Sequence, residues 1–159
     1  MDIAIVGIGN LLMRDEGVGI HALARLREEF SYSERLEFID GGTMGLDLLP
    51  FIEGRDLVVL IDAVDFRQEP GSVKSIANRD IPRYLTGKLS VHQIALPDLL
   101  TTLLLIDNPP RDVVLVGIQP ADIGVGIELS PAVSAGMDAL LNEVLSVLRA
   151  RGVTASLKG

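Results

Sequence analysis

The stretch that most limits what this chain can fold into is its opening, Ile3 to Phe30: IAIVGIGNLLMRDEGVGIHALARLREEF. A short apolar run, Ile3 to Val6, stops at Gly7. A loop containing Gly9 and Asn10 follows. Asp15 and Glu16 then open a helical pattern that carries Val18, Ala22, Leu23, Leu26 and Phe30 roughly on one stripe. A strand that ends in a glycine turn and feeds a helix is half of a βαβ unit. Its turn lies at the carboxyl edge of a sheet, where open α/β folds put their sites. Here that turn presents carboxylates, and two acids at a helix start suit the positive end of its dipole.

The rest of the chain repeats the alternation. Leu36 to Ile39 reads as a second strand, closed by Asp40-Gly41-Gly42-Thr43, and Met44 to Ile52 as a short helix. Leu57 to Ile61, five aliphatics closed by Asp62, is the third strand. Ser72 to Ile76, more polar and carrying Lys74, reads as an edge strand. A helix over Asp98 to Ile106 and a strand over Val113 to Val116 come next. Ser130-Pro131 supplies the N-cap and first residue of a final helix, with Val133, Met137, Leu140, Leu141 and Val144 on its buried stripe and Gly152 as its stop. Right-handed crossovers put helices on both faces of such a sheet. The expectation is a three-layer α/β/α sandwich: a five-stranded, mostly parallel twisted sheet in the order 2-1-3-5-4, with strand 4 antiparallel. Residues 1–152 form one domain, and 153–159 are expected to fray.

Composition narrows the function. A formal net charge of −8 argues against a general phosphate-backbone binder, which needs a basic face. With no cysteine, disulfides, thiolate ligands and Cys nucleophiles are all absent. No apolar run approaches the ~20 residues of a membrane span, and Asp2 stands where a secretory signal would be basic. A soluble cytoplasmic protein is expected, with no membrane insertion, and a monomer is the default.

Four points converge on the carboxyl edge: the loop holding Glu16, then Asp40, Asp62, and the loop holding His92. Glu16, Asp62 and His92 make a plausible two-carboxylate, one-imidazole metal site. Three protein ligands leave positions open for water or substrate, as hydrolytic chemistry requires. On chemistry alone the bland readings stand beside this one. An acid at a strand end also serves as a helix cap or turn residue, and a lone loop histidine is usually exposed or satisfied. Arg14 and His21 read as a loop anchor and a surface or packing residue. A dinucleotide fold is the rival reading of Gly7-Ile8-Gly9, but Leu12 occupies the third glycine position. Asp15 and Glu16 would also meet a pyrophosphate at the helix start. At ~5 Å and an effective dielectric near 20, each like charge costs on the order of 3 kcal/mol.

Taken together, GIGNLLMRDEGVG at Gly7–Gly19, DGGTMGLDLL at Asp40–Leu49, DA at Asp62–Ala63, SVHQ at Ser90–Gln93 and VGIQP at Val116–Pro120 resemble the hydrogenase maturation endopeptidases, in order and spacing, from Ile3 to about Ala150. The resemblance implies an α/β sandwich enzyme that removes a C-terminal extension from the large-subunit precursor of [NiFe] hydrogenase after nickel insertion. The family's metal-binding acids and histidine fall on Glu16, Asp62 and His92, which are therefore the implied catalytic and metal residues. Asp40 matches an acid associated with substrate handling. Nickel is expected to arrive in the substrate, with other divalent cations able to substitute for it. Whether nickel acts as a Lewis acid or only as a recognition element stays open at this point. So does the alternative of a non-catalytic chaperone of nickel-loaded precursor and, further off, a small-molecule or nucleotide-binding α/β protein.

Overall fold

The structure, a computed structural model, describes residues 1–77, 80–81 and 95–159. Its main sheet has five strands. Across the sheet they run β3 (Leu36–Gly42), β1 (Ile3–Ile8), β4 (Leu57–Ala63), β6 (Asp112–Ile118) and β5 (Val73–Ala77). The β1–β3, β1–β4 and β4–β6 pairs are parallel, and β5 runs antiparallel to β6 at one edge. The numbering counts a short strand, β2 (Phe30–Tyr32), that the sequence reading did not contain. It pairs antiparallel with β7 (Ala155–Leu157) in a separate ribbon.

That ribbon corrects the expectation of a frayed tail. Val153 is buried, Ser33 and Thr154 exchange hydrogen bonds, and the Lys158 N–H donates to the Glu29 carbonyl. The tail is held because the end of the first helix offers backbone partners that the sequence does not advertise.

Two apolar layers cover the sheet. In β1, β4 and β6 nearly every residue is buried, which is why these strands lack alternation and read as continuous aliphatic runs. Ile3, Ile5, Leu57, Val59, Ile61, Val114 and Val116 face α1 (Val18–Glu29) and α4 (Pro131–Arg149). Ala4, Val6, Ile8, Val58, Leu60, Val113 and Leu115 face the other way, toward α2 (Leu49–Ile52) and α3 (Ala95–Leu103). α4 begins as its sequence dictates: Ser130 is the N-cap, its hydroxyl accepts from the Val133 N–H, and Pro131 follows.

Three helices differ from the sequence reading, the Met44–Ile52 segment being a 3-10 turn, Gly45–Leu48, followed by the short α2. α3 starts at Ala95 and ends at Leu103, a turn earlier than Asp98 to Ile106. α1 starts at Val18, because Asp15 and Glu16 belong to a separate 3-10 turn, Arg14–Gly17. Both acids are buried there rather than exposed on a helix's first turn.

Candidate active site

The Gly7-to-Gly19 loop is set by close backbone approaches. Gly9 has φ +134°, and a Cβ there would lie 1.7 Å from the Glu16 carbonyl oxygen, so no side chain fits. The same carbonyl accepts the Asn10 N–H at 3.1 Å, and the Asn10 Oδ1 accepts the Leu12 N–H at 2.9 Å. Gly19, in the first turn of α1, does a comparable job at the sheet. A Cβ there would meet the Ile61 carbonyl at 2.1 Å and the Ile8 carbonyl at 2.5 Å. α1 therefore rests directly on the carboxyl ends of β1 and β4, and the turn before it is delivered to the same edge.

Asp62 is the penultimate residue of β4 and has no solvent exposure. By alternation it shares the face of Val58 and Leu60, the side covered by α3. Its Oδ1 accepts the Ala63 N–H at 2.8 Å, while Oδ2 has no hydrogen-bond partner among the described residues. Burial pushes this carboxyl well above the usual carboxylate range; the Ala63 N–H opposes the rise and the charge of Glu16 adds to it. Glu16 is itself 2% exposed. Gly9 lies between the two acids, its Cβ position 3.6 Å from Asp62 Oδ1 on one side and against the Glu16 carbonyl on the other. The Asp62 carboxyl is thus held in a dry environment where the charge of Glu16 further disfavours its ionised form.

Asp40 is placed differently. It is exposed at the end of β3, and its Oδ1 accepts the Gly42 N–H at 3.1 Å. Asp40 pairs with Gly7 across β1, whereas Gly7 pairs on the other side with Ile61. Two strand spacings put it about 10 Å from Asp62 along the edge, and alternation puts it on the opposite face. It stands on the rim, outside the buried pair. A small hollow at the ends of β1 and β3 is lined by Ile8, Gly9, Gly42, Thr43, Leu96 and Leu99. His92 lies outside the described residues, and among those residues no group of three or more His, Asp or Glu is placed to hold a metal.

Two polar residues that hold the edge together were not singled out as such by sequence reasoning. The fully buried Asp15 accepts the Ser130 N–H at 2.7 Å on Oδ1. Its Oδ2 accepts the Ser130 hydroxyl at 2.8 Å and the Ala121 and Asp122 N–H groups at 2.9 Å. Burial alone would raise its pKa, but the Asp122, Ser130 and Ala121 N–H groups and the Ser130 hydroxyl outweigh it and hold the carboxyl below its usual value. Gln119 is buried as well. Its Oε1 accepts the Phe66 N–H at 2.6 Å and its Nε2 donates to Asp65 at 3.1 Å, which fixes the loop after β4. The Q in VGIQP was the available signal for Gln119. Asp15 was visible only as a helix-dipole acid.

A family model described as hydrogenase maturation protease matches residues 20–147. The chain belongs to the hydrogenase maturation protease family. Its relatives include the hydrogenase 2 maturation protease of Escherichia coli, 34% identical over 98% of this chain and 95% of that protein. The hydrogenase expression/formation protein HupD of Rhodobacter capsulatus is 35% identical over 95% of this chain and 73% of its own length. Among solved structures, the hydrogenase maturating endopeptidase HybD from Escherichia coli superposes with a TM-score of 0.91 at 33% identity, covering 99% and 98% of the two chains. The [NiFe] hydrogenase maturation protease HybD from Thermococcus kodakarensis gives 0.75 at 26% identity, covering 92% and 99%. The chain is accordingly a peptidase of this family with its α/β fold.

Proposed function

We propose that this protease removes the C-terminal extension of a [NiFe] hydrogenase large-subunit precursor after nickel has been inserted, and that it reads the loaded state through Glu16, Asp62 and His92. The nickel is substrate cargo, carried in by the precursor. The observation that supports the reading best is the buried Asp62 carboxylate, whose Oδ2 is unpartnered among the described residues beside the charge of Glu16. Carboxylate oxygens and an imidazole nitrogen are hard-to-borderline donors that suit a divalent ion already held by softer ligands. A precursor without nickel brings Asp62 no cation, so its docking leaves the buried charge disfavoured. This is discrimination by a contact that only the correct partner makes.

In that reading Asp40, on the rim, handles the extension as it leaves the hollow toward β3. Glu16, Asp62 and His92 would hold the nickel, which would either polarise the scissile carbonyl as a Lewis acid or serve recognition only, with a carboxylate activating water. The chain's partner is the precursor, and its setting is the cytoplasm. Consistent with this, among the described residues no helix is long and apolar enough to cross a membrane.

The test gives the purified protease nickel-loaded and nickel-free precursor and follows precursor mass. Loaded precursor is expected to lose its extension and unloaded precursor to stay intact. Equal cleavage of both removes the recognition role of nickel. Glu16→Gln and His92→Ala are expected to stop processing of loaded precursor, and normal turnover in both places the site elsewhere.

A further inference from the structure

The loop after β6 and the loop after β1 are stapled into one rigid unit. The Gly126 N–H donates to the Leu12 carbonyl and the Arg14 N–H donates to the Gly126 carbonyl, both at 2.9 Å, forming a parallel bridge centred on Met13 and Gly126. The Asp15 N–H donates to the Asp122 carbonyl at 3.1 Å, and Arg14 forms an ion pair with Asp122 at 3.4 Å. Beneath the bridge, the Asp15 carboxylate gathers three N–H groups and a hydroxyl from residues 121–130.

What this rigid unit displays is aliphatic. Val125 is 87% exposed, Ile127 72%, Leu12 64%, and Leu11 and Ile123 about two-fifths each. Scattered single exposed aliphatics need no explanation, but five on two bridged loops in a chain of net charge −8 form a ridge of a different character. Of the charges nearby, Arg14 and Asp122 pair with each other, and Glu128 stands exposed next to Ile127.

We infer that the Leu12–Val125–Ile127 ridge docks the folded body of the protein substrate, while the buried acids beside it address the segment to be cut. The inference rests on the proposed function and extends it from the site to the surface around it. Continuity selects the occupant. Leu11 and Leu12 lie on the loop that carries Glu16, and the loop of Val125 and Ile127 is bridged to it, so a protein whose scissile segment reaches Glu16 brings its body against these loops. Shape selects the body over the tail. An extended peptide needs a groove or a free strand edge, whereas side chains this far out of the surface fit a flat or hollow apolar patch on a folded domain. The stapling explains why the ridge is useful. Loops already fixed by a bridge and a buried carboxylate lose little freedom when a partner covers them.

The experiment compares wild type with the double variant Val125→Ser, Ile127→Ser. Both side chains are exposed and the bridge is made by backbone, so the denaturation midpoint is expected to stay unchanged. On nickel-loaded precursor the variant is expected to raise KM by on the order of tenfold or more, with kcat within about twofold of wild type. An unchanged KM overturns the docking surface while leaving the proposed cleavage standing. Should wild type release no peptide, the cleavage reading fails by itself. The same two proteins are then compared for binding of that precursor by calorimetry: about tenfold weaker binding by the variant supports the surface, and equal binding overturns it. A wild-type dimer that the substitutions convert to monomer, with KM unmoved, assigns the ridge to self-association and also overturns the inference.

Discussion

At the scale of single residues, the informative contrast is between two buried acids close in space. Asp15 is buried and saturated with donors, so its charge is stabilised by the fold. Asp62 is buried with one backbone donor, and its ionised form is disfavoured. The fold supports the first charge and opposes the second, and a group kept at that cost points to a task other than stability. Asp62→Asn keeps an acceptor for the Ala63 N–H and removes the repulsion from Glu16. The variant should therefore unfold at the same urea concentration as wild type or a higher one, while processing of nickel-loaded precursor falls on the order of 100-fold or more. Loss of stability together with activity would mean Asp62 is a structural acid. Glu16 and Asp62 were legible in the sequence because each closes a strand or turn at the carboxyl edge, a place fixed by local pattern. The role of Asp15 was not legible, because its partners lie 106 to 115 residues away and none has a spacing that signals the contact.

At the scale of elements, the same long-range bonds decide how securely the edge is held. Asp15→Ala leaves the buried Ser130 N–H and hydroxyl and two further N–H groups without their acceptor, a loss of roughly 3–5 kcal/mol. Ser130→Ala removes the N-cap of α4 and one of those donors, and should cost about 1–2 kcal/mol. Because the two side chains share one bond, the double variant should be less destabilised than the sum, as urea denaturation of the three proteins would reveal. The ribbon of β2 and β7 carries its own signature. Tyr32 donates its hydroxyl to the Leu26 carbonyl at 2.7 Å, and burial pushes its pKa from 10.0 up to about 12. The unfolded chain ionises Tyr32 first, so its contribution is complete below pH 10 and is lost as pH rises from there toward 12. Thermal midpoints of Tyr32→Phe should fall less steeply than wild type across that window. The five main strands were readable because three are aliphatic runs bounded by Gly or Asp, β3 is closed by Asp40-Gly41-Gly42, and β5 is a polar edge. The ribbon was not: FSY and ASL lack a strand's periodicity and form only because they face each other.

At the scale of the whole molecule, fold and site are coupled through the distance between the helical layer and the sheet. Leu12 stands where a dinucleotide motif has its close-packing glycine. The close approach is nevertheless present, supplied by Gly7 against Gly19. A Cβ on Gly7 would lie 2.5 Å from the Gly19 carbonyl, and one on Gly19 would run into the carbonyls of Ile61 and Ile8. These obstacles are backbone at the ends of two central strands, so they cannot turn aside as a side chain would. Gly19→Ala must lift the start of α1 off the sheet, at a cost of roughly 3 kcal/mol or more. The lift begins two residues after Gly17, where the turn bearing Glu16 ends, and directly over the strand that carries Asp62. Processing of loaded precursor by the folded fraction should therefore fall at least about tenfold, because a displacement of about 1 Å is enough to spoil a positioned site. Gly152→Ala is the control. Gly152 has φ +84° and nothing within 4 Å of its Cβ position, so it strains the backbone far from this edge. It should lower the denaturation midpoint while leaving the turnover of folded protein unchanged. Equal turnover per folded molecule in Gly19→Ala and wild type would show that the layer spacing supports the fold without setting the geometry of the two acids.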